Sequence, residues 1–299
     1  MKPIIHIGFP KTGTTWFQRE FYPYVLHRKY LDHNKIFGPY VFNISPFDYC
    51  YSSELLKIFR DPSVIICDEG LIGSNPYVSK EMLYRVKKIF ENSSIILFIR
   101  NQEDMLVSKY SQYVLGAYGT QSAPRYFSWD PGWSRLQNFQ KFHYDYLKYD
   151  VIINYLHHIF GEDDVYVYLF EDFSENPKEF LRQFSKEHGL DISLEGINFS
   201  PNNTGMRRKL IPFVRFLNIF TRYKIRDKYF IIHIPRWHLF AKTVYTYLNK
   251  FKIFGSKPTL KQLVGNEKYN SILNEFRKSN ANIVDRFSRE KLIKHKYPL

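Results

Sequence analysis

The sequence has only two cysteines, Cys50 and Cys67. Two thiols cannot build a disulfide framework or a cysteine-based zinc site, and a reducing compartment is the simpler setting. Long apolar runs are also missing. None approaches the about 18 residues that a membrane-spanning helix needs, which excludes an integral helical membrane protein. The apolar run in MKPIIHIGFPKTG stops at Pro10 and Gly13, too soon for a signal peptide or a span. These absences give the expectation of a cytoplasmic protein. There is no internal repeat and no low-complexity tract. One further scarcity is local. Residues 205–261 contain a single acid, Asp227, against fourteen Lys and Arg, so nearly all of the net charge of +14 sits there. Such a block points to an anionic partner: a membrane surface, an acidic polymer or nucleic acid. No nucleic-acid recognition motif accompanies the charge, and no nucleic-acid partner is expected.

What is present is ordinary globular material. Of 299 residues, 44% are hydrophobic and 24% charged, enough to bury a full core without staples. Aromatic residues are abundant, with 27 Phe and 24 Tyr. Apolar, β-branched runs at 3–8, 63–67, 94–99 and 165–170 read as buried strands. Helical patterns occupy 14–27, 79–88, 103–115, 133–160 and 177–188, the last with Asn176 as N-cap and Gly189 past its end. Strand and helix alternate, which predicts an α/β fold with a parallel sheet flanked by helices. From Gly205 the pattern is mostly helical, with Pro212, Pro235 and Pro258 as breaks.

The loop after the first strand is GFPKTGTTWFQ, residues 8–18. A glycine-containing turn between a strand and a helix start is a natural anion site, because free backbone N–H groups and the helix dipole both favour negative charge. Gly8 and Gly13 have the spacing of a Walker A loop. However, Thr14-Thr15 stands where that motif has Lys-Ser/Thr, and the loop's lysine, Lys11, precedes Gly13. A magnesium-dependent NTPase is thereby disfavoured. Lys11 can neutralise charge on a leaving phosphate without a metal. Thr14 and Thr15 offer hydroxyls, and Trp16 offers a flat face to a purine. Further on, Arg100 ends a strand and Ser108 lies eight residues later on a helix, an arrangement suited to a phosphate at the edge of a parallel sheet.

Phe9, Pro10, Lys11, Thr12, Gly13, Thr14, Thr15 and Trp16 match, position by position, the pattern Phe/Tyr-Pro-Lys-Ser/Thr-Gly-Thr-Thr-Trp. This resembles the 5′-phosphosulfate loop of the sulfotransferases that use 3′-phosphoadenosine 5′-phosphosulfate (PAPS). The resemblance implies a P-loop-like sulfotransferase fold spanning 1–299 as one domain, with 205–261 as a basic, aromatic-rich helical segment within it. It implies that Lys11 contacts the phosphosulfate and assists its departure. Thr12, Gly13, Thr14 and Thr15 would hold the 5′-phosphate, and Trp16 would pack on adenine. Arg100 and Ser108 resemble the family's 3′-phosphate site. Arg207 and Arg208, with Lys209, are candidates to complete it, the alternative being that they open the membrane- or polymer-facing block. Residues 165–184 and the tail from Phe276 through Asn280 to Tyr297-Pro298 resemble family segments of structural character.

The acceptor side departs from the family. Many members carry a histidine base soon after the second apolar strand, and here that place reads CDEGLIG, residues 67–73. Glu69 is the first candidate for general base, since carbohydrate-acting members use a Glu; Asp68, His33 and His27 are the alternatives. The expected activity is transfer of a sulfuryl group from PAPS to an acceptor hydroxyl on a glycan, a glycolipid or a hydroxylated small molecule, releasing adenosine 3′,5′-bisphosphate. No metal is required by these residues. Residues 210–224 mix apolar and basic positions as an interfacial helix would, which gives an expectation of peripheral contact with an anionic membrane through 205–261. A P-loop-type kinase and a non-catalytic membrane- or polyanion-binding protein with a nucleotide site are the competing readings.

Overall fold

A computed structural model of the chain describes residues 1–31, 57, 60–73, 76–116, 119–128, 141–199, 205–220 and 231–299. Its centre is a five-stranded, wholly parallel sheet of β1 (Ile4–His6), β2 (Lys29–Leu31), β3 (Val64–Cys67), β4 (Ser94–Ile99) and β5 (Val165–Leu169). The order across the sheet is β2-β3-β1-β4-β5. β1 is central: Ile5 lies in register with Ile66 on one side and Ile95 on the other. All of β1 and β3 is buried, as is β4 from Ile95 onward, because helices cover both faces. The edge strand β5 alternates instead, with Val165, Val167 and Leu169 buried and Tyr166 and Tyr168 half-buried. β2 is the other edge. Its three residues, Lys29, Tyr30 and Leu31, carry too little pattern to be read as a strand, and an exposed lysine suits an unpaired edge.

The helices follow the expected alternation with local differences. The first begins at Thr14 but changes character, running as a π-type turn over Phe17–Phe21 and a 3₁₀ turn over Tyr22–Tyr24 before Val25 becomes extended. Pro23 explains the early end: its ring cannot accept a carbonyl four residues back, and it has no N–H to give. The helix expected over 133–160 is interrupted. A 3₁₀ turn at Tyr144–Leu147 and a non-helical Lys148 precede the helix Tyr149–Phe160, and residues 129–140 lie outside the described residues. Asn176 does cap Pro177–Glu187 by accepting from the Glu179 N–H, and Gly189 follows with φ 58°. Pro212 breaks nothing. It sits in the first turn of Leu210–Leu217, where its missing N–H would have no intrahelical partner. Among the described residues no helix is long and apolar enough to cross a membrane.

The chain forms two compact units. The first, Met1–Arg100 with Lys148–Asn202 and Asn282–Phe287, holds the sheet. Its core is aromatic: Phe17, Phe21, Tyr22, Phe98 and Phe184 are buried around Ile4, Ile65 and Ile96. The second, Asn101–Leu147 with Asn203–Ala281 and Ser288–Leu299, is helical. Within it the buried Gln102 and Asn280 exchange side-chain hydrogen bonds of 2.7 and 3.2 Å, and Asn280 Nδ2 donates to the Pro298 carbonyl at 2.8 Å. The tail motif at Asn280 and Tyr297-Pro298 is thus a buried amide holding down the chain's last turn.

Candidate functional site

In an open parallel sheet, ligands bind beyond the carboxyl ends of the strands, where neighbouring connections diverge. Here that edge gathers candidates distant in sequence. The Lys11 loop follows β1, Asp68 and Glu69 follow β3, and Arg100 follows β4. Three adjacent strands therefore deliver the three kinds of group the sequence singled out.

The loop is shaped by two residues of left-handed backbone, Lys11 at φ 73° and Gly13 at φ 87°. Such alternation bends the chain into a concavity that gathers N–H groups around an anion. Thr12 is fully buried, and its hydroxyl and its N–H both donate to the Phe9 carbonyl, at 2.5 and 3.2 Å, closing the turn. Gly13 caps the helix start with no side chain, so nothing of its own covers the first-turn N–H groups. Gly8 is obligatory for a different reason. A Cβ there would lie 2.6 Å from Thr14 Cγ2 and 2.8 Å from Thr12 Oγ1, so the loop packs on bare backbone. Beneath it lies His6, fully buried, stacked on Phe98 and hydrogen-bonded through Nδ1 to the Tyr22 hydroxyl at 3.0 Å.

Thr14 is buried and donates its hydroxyl to Glu69 Oε2 at 3.0 Å. Thr15 is exposed at the mouth. Glu69 is half-buried and begins a 3₁₀ turn, Glu69–Ile72. Asp68 caps that turn: its Oδ1 accepts from the Gly70 N–H at 2.7 Å, while its own N–H donates to the His6 carbonyl. One carboxylate holds the backbone and its neighbour reaches the loop. Gln18 donates to the Cys67 carbonyl at 2.8 Å and ties the end of β3 to the helix after the loop. The Cys67 thiol is pushed well up, first by burial and then by Asp68 and Glu69, so it stays protonated and is no nucleophile.

Arg100 reaches across from β4. Its Nη1 donates to the Lys11 carbonyl at 3.1 Å, and its guanidinium lies 5.0 Å from the centre of the Phe170 ring. Its own carbonyl accepts from the Tyr149 hydroxyl at 2.5 Å. Phe170, just after β5, also backs the loop, since a Cβ on Gly13 would stand 3.2 Å from its ring. Neither Phe170 nor Tyr149 was singled out from the sequence. Phe170 could have been, because it follows a strand at the same edge. Tyr149 carries no local signal.

Trp16 is half-buried. Its Nε1 donates to the Asn198 carbonyl at 2.8 Å, and its ring stacks 5.8 Å from Phe199 at an interplanar angle of 21°. The remaining candidates belong to other parts of the chain. Ser108, half-buried on Gln102–Leu115, and Arg207 and Arg208 belong to the second unit. There the Arg207 guanidinium donates to the carbonyls of Asn249 and Gly255, both at 2.7 Å, and clamps two segments of backbone. Arg208 is exposed and lines a cleft of about 630 Å³ with Lys209, Arg215 and Tyr110. His27 is exposed, 3.8 Å from Asp191. His33 lies outside the described residues.

No protein-family model and no curated protein matches the chain. Among solved structures it is similar to a sulfotransferase from Alicyclobacillus acidocaldarius, at 16% identity and a TM-score of 0.47, over 67% of this chain and 86% of that one. It is also similar to mouse sulfotransferase SULT7A1 complexed with PAP, at 15% identity and a TM-score of 0.42, over 96% of this chain and 88% of that one.

Proposed function

We propose that the chain is a sulfotransferase that moves the sulfuryl group of PAPS to an acceptor hydroxyl. The observation that carries this reading is the 3.0 Å hydrogen bond from Thr14 to Glu69. It puts a carboxylate suited to take a hydroxyl proton against the loop suited to hold the leaving phosphate. Support also comes from the loop residues 9–16, which match the family's phosphosulfate loop.

The residues present fit a nucleotide phosphosulfate. The loop is concave, its helix start carries no side-chain cap, and Lys11 and Arg100 bring two cations to it. PAPS, when bound, supplies the activated S–O bond. In the reaction sulfur's bond to the 5′-phosphate oxygen breaks and a bond to the acceptor oxygen forms. Glu69 takes the acceptor's proton, and Lys11 neutralises the charge left on the phosphate. Thr14 aims the Glu69 carboxylate, and Arg100 holds the loop at the Lys11 carbonyl. In this reading the acceptor is a hydroxyl on a glycan or glycolipid, supported by the Asp68-Glu69 pair where other members carry histidine.

Titration calorimetry with adenosine 3′,5′-bisphosphate and, separately, with magnesium-ATP tests the donor. The expected result is micromolar binding of the bisphosphate, weakened by Lys11→Ala and Arg100→Ala, with no binding of ATP. Preference for magnesium-ATP would instead make the protein a P-loop-type kinase. PAPS-dependent sulfation across a panel of glycans and small hydroxylated compounds then identifies the acceptor.

A further inference from the structure

The second unit carries an exposed apolar surface that the chemistry of the first does not use. The segment expected to lie at an interface, 210–224, is not itself that surface. In Leu210–Leu217 the residues Leu210, Ile211, Val214 and Leu217 are buried within the unit, and residues 221–230 lie outside the described residues. The surface is built instead from the outer side of this helix together with the helix Trp237–Leu248. Phe216 is 57% exposed and Phe240 is 53% exposed, and a continuous row of ring contacts joins them: Phe216 to Phe220 at 5.4 Å, Phe220 to Trp237 at 5.8 Å, Trp237 to Phe240 at 5.0 Å.

The patch is held firmly. Trp237 Nε1 donates to the Leu217 carbonyl at 2.9 Å, and the N–H groups of Ile231 and Ile234 donate to the carbonyls of Ile219 and Phe220. That fixed backbone presents Ile231, 62% exposed, and Ile232 beside it to solvent. On Trp237–Leu248 the buried Ala241 and Tyr245 define the inner face. Phe240, Thr243 and Tyr247 recur outward at three- and four-residue steps, and the exposed Arg236 and Lys250 continue that stripe at its two ends. The chain segments that carry the patch hold charge of one sign. The described residues of 205–220 and 231–261 include ten Lys and Arg and neither Asp nor Glu.

We infer that this face docks on an anionic lipid bilayer, with the apolar row entering the headgroup–acyl boundary and the flanking cations meeting lipid phosphates. Apolar tips framed by cations are the composition of an interfacial helix. A soluble polyanion would be met by the cations alone and gives no reason to leave Ile231, Ile232, Leu239 and Phe240 in water. A second copy of the chain would oppose two faces of the same positive sign. This inference does not depend on the reading of the first unit.

Vesicle flotation of the full chain tests it, with neutral phosphatidylcholine vesicles beside vesicles in which a third of the lipid is phosphatidylglycerol. Binding is expected on the anionic vesicles alone and weakens as salt is raised. Phe216→Ser with Phe240→Ser, and separately Lys242→Glu with Lys250→Glu, should each weaken it at least tenfold while the melting curve stays in place, since all four side chains are exposed. No flotation with anionic vesicles overturns the inference, as does equal binding to neutral ones. Binding to heparin that is indifferent to the Phe pair, without vesicle binding, would assign the face to a soluble polyanion. Concentration-dependent dimerisation abolished by the Phe pair, again without vesicle binding, would assign it to a second copy.

Discussion

Thr14 and Glu69 are 55 residues apart in the chain, and a 3.0 Å hydrogen bond joins them. The first opens the helix after the loop and the second opens the turn after β3, so the contact couples two strand ends through side chains alone. If Glu69 is the base, Glu69→Gln should keep the fold and the bisphosphate affinity while lowering kcat by about 10²–10⁴-fold. Thr14→Ser should stay close to the parent, and Thr14→Val should fall between. Near-normal turnover by Glu69→Gln would remove the assignment.

Lys11 should show activity and stability pulling apart. A non-glycine residue at φ 73° carries about 1–2 kcal/mol of steric cost. Lys11→Gly releases that cost, partly offset by the extra freedom glycine has when unfolded. The variant should be as stable as the parent or more so, by up to about 1 kcal/mol in urea unfolding. Lys11→Ala should gain nothing. Both should lose bisphosphate affinity and sulfuryl transfer, because the ammonium is gone.

Stability should fall in mild acid. Burial, with a smaller contribution from His188, lowers His6 to about 3, and burial followed by Arg28 lowers His188 to about 4. Both rings are neutral in the folded protein yet take up protons when unfolded near pH 6.5. The unfolded chain therefore binds more protons below about 6.5, and each such ring removes up to about 1.4 kcal/mol per pH unit as pH drops towards its folded value. Above that window the contribution is constant. Urea midpoints measured from pH 8 to pH 4 should show the decline, and His188→Gln should flatten it. A parent profile with no slope between pH 6.5 and 4.5 would mean that the rings are accessible.

The tail is a separable piece of stability. Asn280→Ala takes away the side chain that donates to the Pro298 carbonyl and to Gln102 Oε1, leaves Gln102 Nε2 its longer bond to the Leu147 carbonyl, and should cost about 1–3 kcal/mol. Removing residues 298–299 should cost part of the same amount. The two changes together should cost less than their sum, since both break one network.

The sequence made the sheet legible where apolar runs are long. β1, β3, β4 and β5 are three to six residues long and lie in runs of near-continuous apolar residues or tight alternation, and the residues following three of them became the site. What the sequence hid is set by tertiary contact. β2 is three residues whose strand pairing is to β3, with Tyr30 stacked on Tyr22. Pro212 reads as a breaker but is harmless in a first turn. The break before Tyr149 lies at the non-helical Lys148, which no local pattern marks. Tyr149 donates to the Arg100 carbonyl across the fold, and such a pairing leaves no trace in spacing. The division of Ser108, Arg207 and Arg208 from the loop residues into a second unit was equally invisible.

The interleaving of those units bears on how the protein can be made. Neither is a continuous stretch of chain: the first begins at Met1 and takes its last piece from Asn282–Phe287, and the second begins at Asn101 and runs to Leu299. During synthesis four strands of the sheet leave the ribosome before β5, and no single cut in the gene yields either unit whole. Contacts between such remote segments close slowly and leave the sheet's edge open meanwhile. Expression of fragments should therefore give insoluble material, and full-length chain should reward slow translation and low temperature.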